Sequence, residues 1–169
     1  MIIYSKEIVY LCQFSIIQGK NLVDIMLSNA AKYAIRAFLF LAINSKNDSK
    51  YGAIQIAKDL DIPQAFIAKL LQKLAKGNII SSSKGPTGGF YFTKENGGNN
   101  VCKIIELIDG KGVFDKCFMG LPNCGDAKPC PVHHLVAPFK KEILEQFLHK
   151  NINQLAQEVN EKGLFLSLK

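Results

Sequence analysis

Residues 63–93 read PQAFIAKLLQKLAKGNIISSSKGPTGGFYFT, and this stretch decides the fold. Pro63 suits the start of a helix, where its missing N–H is not needed. Apolar residues recur at helical spacing until Gly77-Asn78, a pair typical of a left-handed helix end. The pattern predicts an inward face made of Phe66, Leu70, Leu71 and Leu74. It leaves a basic outer face made of Gln64, Ala65, Ala68, Lys69, Gln72, Lys73 and Lys76.

A hairpin is predicted directly after this helix. Its strand candidates are Ile79 to Ser83 and Phe90 to Thr93, and the glycines of the turn between them permit positive φ. A hairpin after an exposed helix is a wing in DNA-binding folds. Lys84 offers charge to phosphates or to a narrow minor groove, and Gly85 lets the backbone approach a groove closely.

Two further helices are predicted before the basic one. Ser28 is a good N-cap for a helix that runs to about Asn44. A short second helix is predicted from Ile54, Ile56, Ala57 and Leu60. Residues 26–98 are therefore predicted to form a winged helix-turn-helix domain, in a mainly α chain with a small β-hairpin wing. Residues 1–25 are interpreted as an N-terminal extension without function, with Met26 as the natural start.

A linker from Glu95 to Asn100 is expected to lead into a short helix, Val101 to Ile108, on which Cys102 is a core thiol. Residues 99–134 then comprise that helix and a cysteine-rich loop. Residues 135–169 are predicted to hold two helices, the second capped by Asn151 or Asn153. The first, 135–150, carries an apolar stripe wider than one small domain needs: Val136, Phe139, Ile143 and Phe147, with Leu144 and Leu148. The width of this stripe predicts that the helix pairs with its copy in a homodimer.

The loop between these helices holds a thiol-rich constellation. Cys117, Cys124, Cys130 and His133 are separated by six, five and two residues, in a stretch dense in glycine and proline. With no secretory signal recognised, such a loop points to a metal before disulfides. Structural zinc usually takes ligands in short knuckles, so the long spacings favour an iron–sulfur cluster. Zinc and metal-free or redox-active thiols remain as alternatives.

Composition limits the possible functions. The net charge is +7, which favours an anionic partner such as nucleic acid, although basic proteins without one are common. No apolar run approaches the roughly 18 residues of a membrane span, so no membrane partner is expected. A reducing cytoplasm is the expected location. The sequence shows no nucleotide-binding loop, no paired carboxylates and no nucleophile–base pair, which disfavours an enzyme.

From residue 26 onward the chain resembles the cluster-binding winged-helix regulators that include IscR, NsrR and the cluster-free CymR. Four motifs carry the resemblance: Leu27-Ser28 with Tyr33-Ala-Ile-Arg36-Ala, Ile62-Pro63-x2-Phe66, Ser82-x-Lys84-Gly85-Pro86-x-Gly88-Gly89-Phe90, and the three-cysteine loop. The resemblance implies a bacterial transcription regulator that binds DNA as a homodimer. It also implies that an iron–sulfur cluster controls its affinity for the operator.

The same resemblance assigns residues to the cluster. Cys117, Cys124, Cys130 and His133 are the implied ligands. NsrR-like members can take an aspartate from the partner's first helix, and the matching position here is Lys32. This lysine favours His133 as fourth ligand and a 2Fe–2S over a 4Fe–4S cluster, with Asp126 as a substitute oxygen ligand.

The resemblance also assigns DNA-reading positions. Ala65, Ala68 and Lys69 match the base-reading positions of the third helix, and Lys84 matches a basic minor-groove position. Gln64 adds a donor–acceptor pair suited to adenine. The predicted DNA-contacting set is Gln64, Ala65, Ala68, Lys69, Lys73, Lys84 and Gly85. The rival interpretations are a zinc-stabilised DNA-binding module and, less favoured, a redox protein.

Overall fold

The computed structural model describes residues 27–45 and 49–163 of the chain. The helices and strands in these ranges are α1 (Asn29–Asn44), α2 (Ala53–Leu60), α3 (Gln64–Lys76), β1 (Ser81–Ser83), β2 (Gly89–Tyr91), a 3-10 helix (Lys94–Gly98), α4 (Val101–Asp109), α5 (His133–His149) and α6 (Ile152–Lys162). The predicted mainly helical architecture with one antiparallel hairpin is confirmed. The interpretation of residues 1–25 concerns a segment outside the described residues.

Helix α1 is the centre of the core and packs against α3, α4 and α6. The predicted cap is confirmed, since the Ser28 hydroxyl accepts a hydrogen bond from the Ala31 N–H at 3.1 Å. The Ser28 N–H also donates to Asp109 at the end of α4, at 3.0 Å, and its hydroxyl bonds the same carboxylate. The first residue before α1 is therefore tied to the last residue of α4.

Helices α2 and α3 form the predicted helix-turn-helix. Asp61 ends α2 in the left-handed conformation (φ 54°), and Pro63 precedes the first residue of α3. The buried face of α3 consists of Ile67, Leu70, Leu71 and Leu74, which is the i, i+3, i+4, i+7 series from Ile67. At the C-terminal end of α3 the left-handed residue is Asn78 (φ 57°), because Gly77 has a φ of −82°.

The prediction that Phe66 faces inward is wrong. Phe66 is 40 % exposed, and its ring packs edge-on against Tyr33 of α1 at 5.6 Å between centroids. The buried series of α3 runs through Ile67 instead, so Phe66 lies at the flank of the helix. Its apolar character alone suggested burial.

The hairpin pairs Ser81 with Tyr91 and Ser83 with Gly89. Tyr51 extends this sheet by a bridge to Phe90, with N–H to O distances of 2.9 Å in both directions. Of the three turn glycines only Gly85 adopts a positive φ, of 109°. Gly88 and Gly89 instead permit close backbone approach, because a Cβ would lie 2.5 Å from the Ser83 oxygen and 2.9 Å from the Tyr51 oxygen.

The stretch predicted as a linker is instead ordered. Residues Lys94–Gly98 form the 3-10 helix, and the buried Asn96 side-chain oxygen accepts from the Thr93 N–H at 2.8 Å and the Ser81 hydroxyl at 3.2 Å. Asparagine and glycine suggested a flexible linker, but here the asparagine amide satisfies buried polar groups. The 3-10 helix thus fastens the hairpin to the core.

Helix α5 begins at His133, two residues before its predicted start, and contains Pro138. None of its 17 residues is buried in the described chain. Leu135 is 73 % exposed and Leu148 is 49 % exposed, whereas Phe147 packs against Phe114. Asn151, the first predicted alternative, caps α6. None of the helices in the described residues is long and apolar enough to span a membrane.

Replacement of Asn96 by Ala should lower the free energy of unfolding by about 1–3 kcal/mol, because it leaves the Thr93 N–H without its acceptor. Urea denaturation followed by circular dichroism measures this change. The matched control is Asn160→Ala at an exposed position of α6, expected within about 0.5 kcal/mol of the wild type. Equal stabilities of the two variants would contradict the structural role of Asn96.

Candidate metal centre and nucleic-acid surface

The loop between α4 and α5 brings three cysteines together. Their Sγ atoms lie within 4.8 Å of one another, and Cys117 and Cys130 are 3.8 Å apart. Along the sequence, Cys130 follows Cys117 by thirteen positions. Three of the four predicted metal-ligating residues therefore converge on one point.

Short turns of the loop produce this convergence. The Gly120 N–H donates to the Cys117 carbonyl at 3.0 Å, and Gly120 takes a φ of 74°. Gly125 and Lys128 exchange two backbone hydrogen bonds of 3.3 and 3.1 Å. The Cys130 N–H then donates to the Cys124 sulfur at 3.4 Å. Each turn directs a thiol towards the same side of the loop.

His133, the fourth predicted ligand, is the first residue of α5. Its Nδ1 lies 3.3 Å from the Cys124 sulfur, and its Nε2 lies 3.1 Å from the Asp126 carboxylate. In the tautomer in which Nε2 donates to Asp126, the Nδ1 lone pair faces the thiols. Asp126, considered from the sequence as a substitute ligand, contacts the histidine. The sequence signal for this pairing was a carboxylate in the same loop as the histidine, but the contact depends on how the loop folds.

The cysteines differ in acidity. Burial opposes ionisation of Cys117, but hydrogen bonds from the Leu121 and Met119 backbone and from the neighbouring thiols lower its pKa to about 7. For Cys124, the Cys130 N–H favours the thiolate, yet burial and the adjacent cysteines outweigh it and raise the pKa. On α4, burial and then the Glu106 charge raise the pKa of Cys102 to about 11.

A cavity of about 320 Å³ opens beside the cysteines. Its lining combines apolar side chains with three lysines: Phe114, Phe118, Val136, Leu144, Lys116, Lys140 and Lys141. Soft sulfur donors with one imidazole fit a thiophilic metal ion or an iron–sulfur group. The lysines favour the negative charge that thiolate ligands bring. Sequence reasoning missed Lys140 and Lys141, although they follow His133 by two helical turns on α5.

The predicted DNA-contacting residues lie on the surface of α3 and the hairpin. All are exposed except Ala68, which is half-buried. Lys73 also donates to the Ile108 carbonyl at 3.2 Å, so it connects α3 to the end of α4. The structure thus places these residues on the outside of the winged helix-turn-helix.

Solved structures share this fold. The chain superposes on IscR of T. potens with a TM-score of 0.62 at 18 % identity, covering 82 % of this chain and 91 % of that one. It superposes on CymR, the global cysteine regulator of B. subtilis, with a TM-score of 0.61 at 15 % identity, covering 78 % and 95 %. Together with the hairpin and the helix-turn-helix, these likenesses define a winged-helix protein.

Sequence relatives identify the family. An HTH-type transcriptional regulator of Aquifex aeolicus (strain VF5) is 34 % identical over 140 residues, covering 82 % of this chain and 95 % of the relative. IscR of Enterobacter sp. (strain 638) is 28 % identical over 109 residues, covering 64 % and 66 %. The protein is therefore a transcription regulator. It belongs to the Rrf2 family, described as iron-dependent transcriptional regulators, whose model matches residues 27–158.

These relatives confirm the predicted resemblance to IscR-type regulators. Because they are named as transcriptional regulators, they also support the expectation that the chain is not an enzyme. The ligand set and the DNA-reading residues remain predictions.

In metal-free protein, iodoacetamide should alkylate Cys117 with a rate that rises to half its maximum near pH 7, because its pKa is about 7. Thiolate increases with pH, so the rate falls in more acidic buffer. Cys102 serves as the internal control: with a pKa of about 11 and a buried side chain, it should not react at neutral pH. Peptide mass spectrometry measures both rates, and equal rates would contradict the assigned acidities.

Proposed function

We propose that this regulator binds DNA as a homodimer and that a metal group held by Cys117, Cys124, Cys130 and His133 controls its affinity for the operator. The observation that supports this most is the convergence of three thiols in a loop between the winged helix-turn-helix and α5. The likeness to proteins named IscR favours an iron–sulfur cluster, and a 2Fe–2S cluster is proposed over 4Fe–4S. As a regulator of bacterial genes it would act in the cytoplasm.

The residues of the loop have distinct tasks in this proposal. The cysteines would hold the group through sulfur, and His133 would complete the set through Nδ1, steadied by Asp126. When bound, an iron–sulfur group supplies a charge that changes with redox state or with attack by small reactive molecules. Phe118 and Leu144 line the cavity beside the thiols and would reduce the access of water to a bound group.

Zinc is the second candidate. The 3.8 Å between the Cys117 and Cys130 sulfurs is close to the edge of a tetrahedron with metal–sulfur bonds of about 2.3 Å. A zinc site of this kind would stabilise the loop without sensing redox state. Metal analysis distinguishes the two.

The loop has a direct connection to the DNA-reading unit through the end of α4. Asp109 holds Ser28 before α1, and the Ile108 carbonyl accepts from Lys73 of α3. A change in the conformation of the cysteine loop, residues 110–132, would therefore act on the helix that carries the DNA-contacting side chains. A coupling free energy on the order of 1–3 kcal/mol is typical of such linked sites.

The exposed apolar side chains of α5 support the proposed homodimer. Leu135, Phe139 and Leu148 are 73 %, 37 % and 49 % exposed. Leu135 and Phe139, four residues apart, share one face of α5. Pairing of α5 with the same helix of a second copy would bury this face in a two-fold interface. Two α3 helices related by that symmetry would read the halves of a pseudo-palindromic operator.

Substitution of Lys69 by Ala should weaken operator binding about tenfold or more, because an exposed lysine on α3 can bond guanine acceptors. Fluorescence anisotropy with a labelled operator duplex measures the affinity. Lys162→Ala, which removes the same charge at the end of α6, should remain within about twofold of the wild type. Unchanged binding by the Lys69 variant would remove that residue from the reading surface.

Substitution of Cys124 by Ala should abolish metal binding in anaerobically purified protein, because it removes one of the converging thiols. Visible absorption and assays of iron, sulfide and zinc give the readout. Cys102→Ala is the matched control and should keep the full metal content, since Cys102 lies in the core on α4. Full metal content in the Cys124 variant would contradict the assignment of Cys124 as a ligand. Colourless wild-type protein with stoichiometric zinc would establish the zinc alternative.

A further inference from the structure

The exposed side of the first two turns of α3 is mainly apolar. Helix-turn-helix proteins read bases with the N-terminal residues of the second helix. Here Ala65 and Phe66 are exposed and Ala68 is half-buried, with Gln64 and Lys69 as the polar neighbours. None of the 13 residues of α3 is an aspartate, glutamate, serine or threonine. The surface that faces DNA in the proposed function therefore has few hydrogen-bond acceptors.

Phe66 lies at the flank of α3, at the edge of this surface, and its contacts hold its ring in place. Its ring packs edge-on against Tyr33, whose ring also lies 5.7 Å from the Arg36 guanidinium carbon. In residues 27–45 and 49–98, the exposed large apolar side chains are Ile54 at 67 % and Phe66 at 40 %. Both belong to the helix-turn-helix, so the exposed apolar area of this unit is concentrated on its two helices.

The chemistry of the major groove then limits what α3 can read. Cytosine presents an N4 donor that needs an acceptor, and guanine presents acceptors that need a donor. Thymine presents a C5-methyl group that favours contact with alanine or phenylalanine. Lys69 can donate a hydrogen bond to guanine, and the Gln64 amide can both donate to and accept from adenine. The three apolar side chains match thymine and offer nothing to cytosine.

We infer that α3 selects half-sites in which thymine methyl groups face Ala65 and Ala68, with Phe66 at the edge of the reading surface. This inference rests on the proposed function, since it requires that α3 enters the major groove. The operator half-site is accordingly rich in A·T pairs, with guanine confined to the base that Lys69 reaches. Sequence preference thus comes mainly from apolar contact and less from hydrogen bonds.

The test removes the methyl groups from the DNA. A half-site sequence is first enriched from a random duplex library by the full chain, both as purified anaerobically and after metal removal. Each thymine of the enriched sequence is then replaced by deoxyuridine, which keeps base pairing but lacks the C5-methyl. Binding should weaken about fourfold at each contacted thymine, as expected for one buried methyl group. Two or three such positions are expected in each half-site.

Protein variants connect the effect to α3. In Ala65→Ser the deoxyuridine effect should shrink at one position, because a hydroxyl replaces part of the apolar contact. In Lys69→Ala overall affinity falls, but the ratio between thymine and deoxyuridine duplexes should equal that of the wild type. Equal reduction of the ratio in both variants would contradict the assignment to Ala65.

The failures of the two proposals are distinguishable. Enrichment of a sequence in which every deoxyuridine replacement changes affinity by less than about twofold would overturn the inference and leave the regulator function intact. Enrichment of half-sites without thymine would also overturn the inference and leave the regulator function intact. If neither preparation enriches any sequence, both this inference and the proposed function are overturned.

Discussion

Burial of the apolar face of α1 is the constraint on which the other elements depend. Ala31, Ala34 and Ala37 are fully buried on this helix, and their small size lets neighbouring helices approach closely. Helices α3, α4 and α6 all pack on α1. The DNA-reading helix and the helix that leads into the cysteine loop are therefore positioned by the same central element.

Sequence reasoning succeeded where one local pattern determines the structure. The cap at Ser28, the helix after Pro63 and the hairpin around Gly85 follow from short-range propensities, and each is present in the fold. It failed at Phe66, because hydrophobicity does not distinguish a buried side chain from one at a helix flank. It also failed at Asn96. Composition does not show that this side-chain oxygen will accept a hydrogen bond from the Thr93 N–H in a folded turn.

In the candidate site, sequence spacing identified the donors but could not give their arrangement. The contact of His133 with Asp126 and the bridge of Tyr51 to Phe90 depend on how separate segments meet in three dimensions. The same holds for the unequal acidity of the thiols. Hydrogen bonds from loop backbone stabilise the Cys117 thiolate, whereas core burial disfavours that of Cys102. Chemically identical side chains thus acquire different reactivity from their surroundings.

The position of His133 at the start of α5 has a mechanical consequence. With 17 residues, α5 is a rod about 25 Å long that begins beside the thiols. Near its other end Phe147 packs against Phe114 and the Leu148 carbonyl accepts from the Asn100 amide. A tilt of about 5° at His133 would displace the other end by about 2 Å. Pro138 lacks the N–H that would bond the His134 carbonyl, which makes the helix easier to bend one turn from its anchor. A small change at one imidazole would thus be transmitted along α5 to the contacts that its far end makes with Phe114 and Asn100.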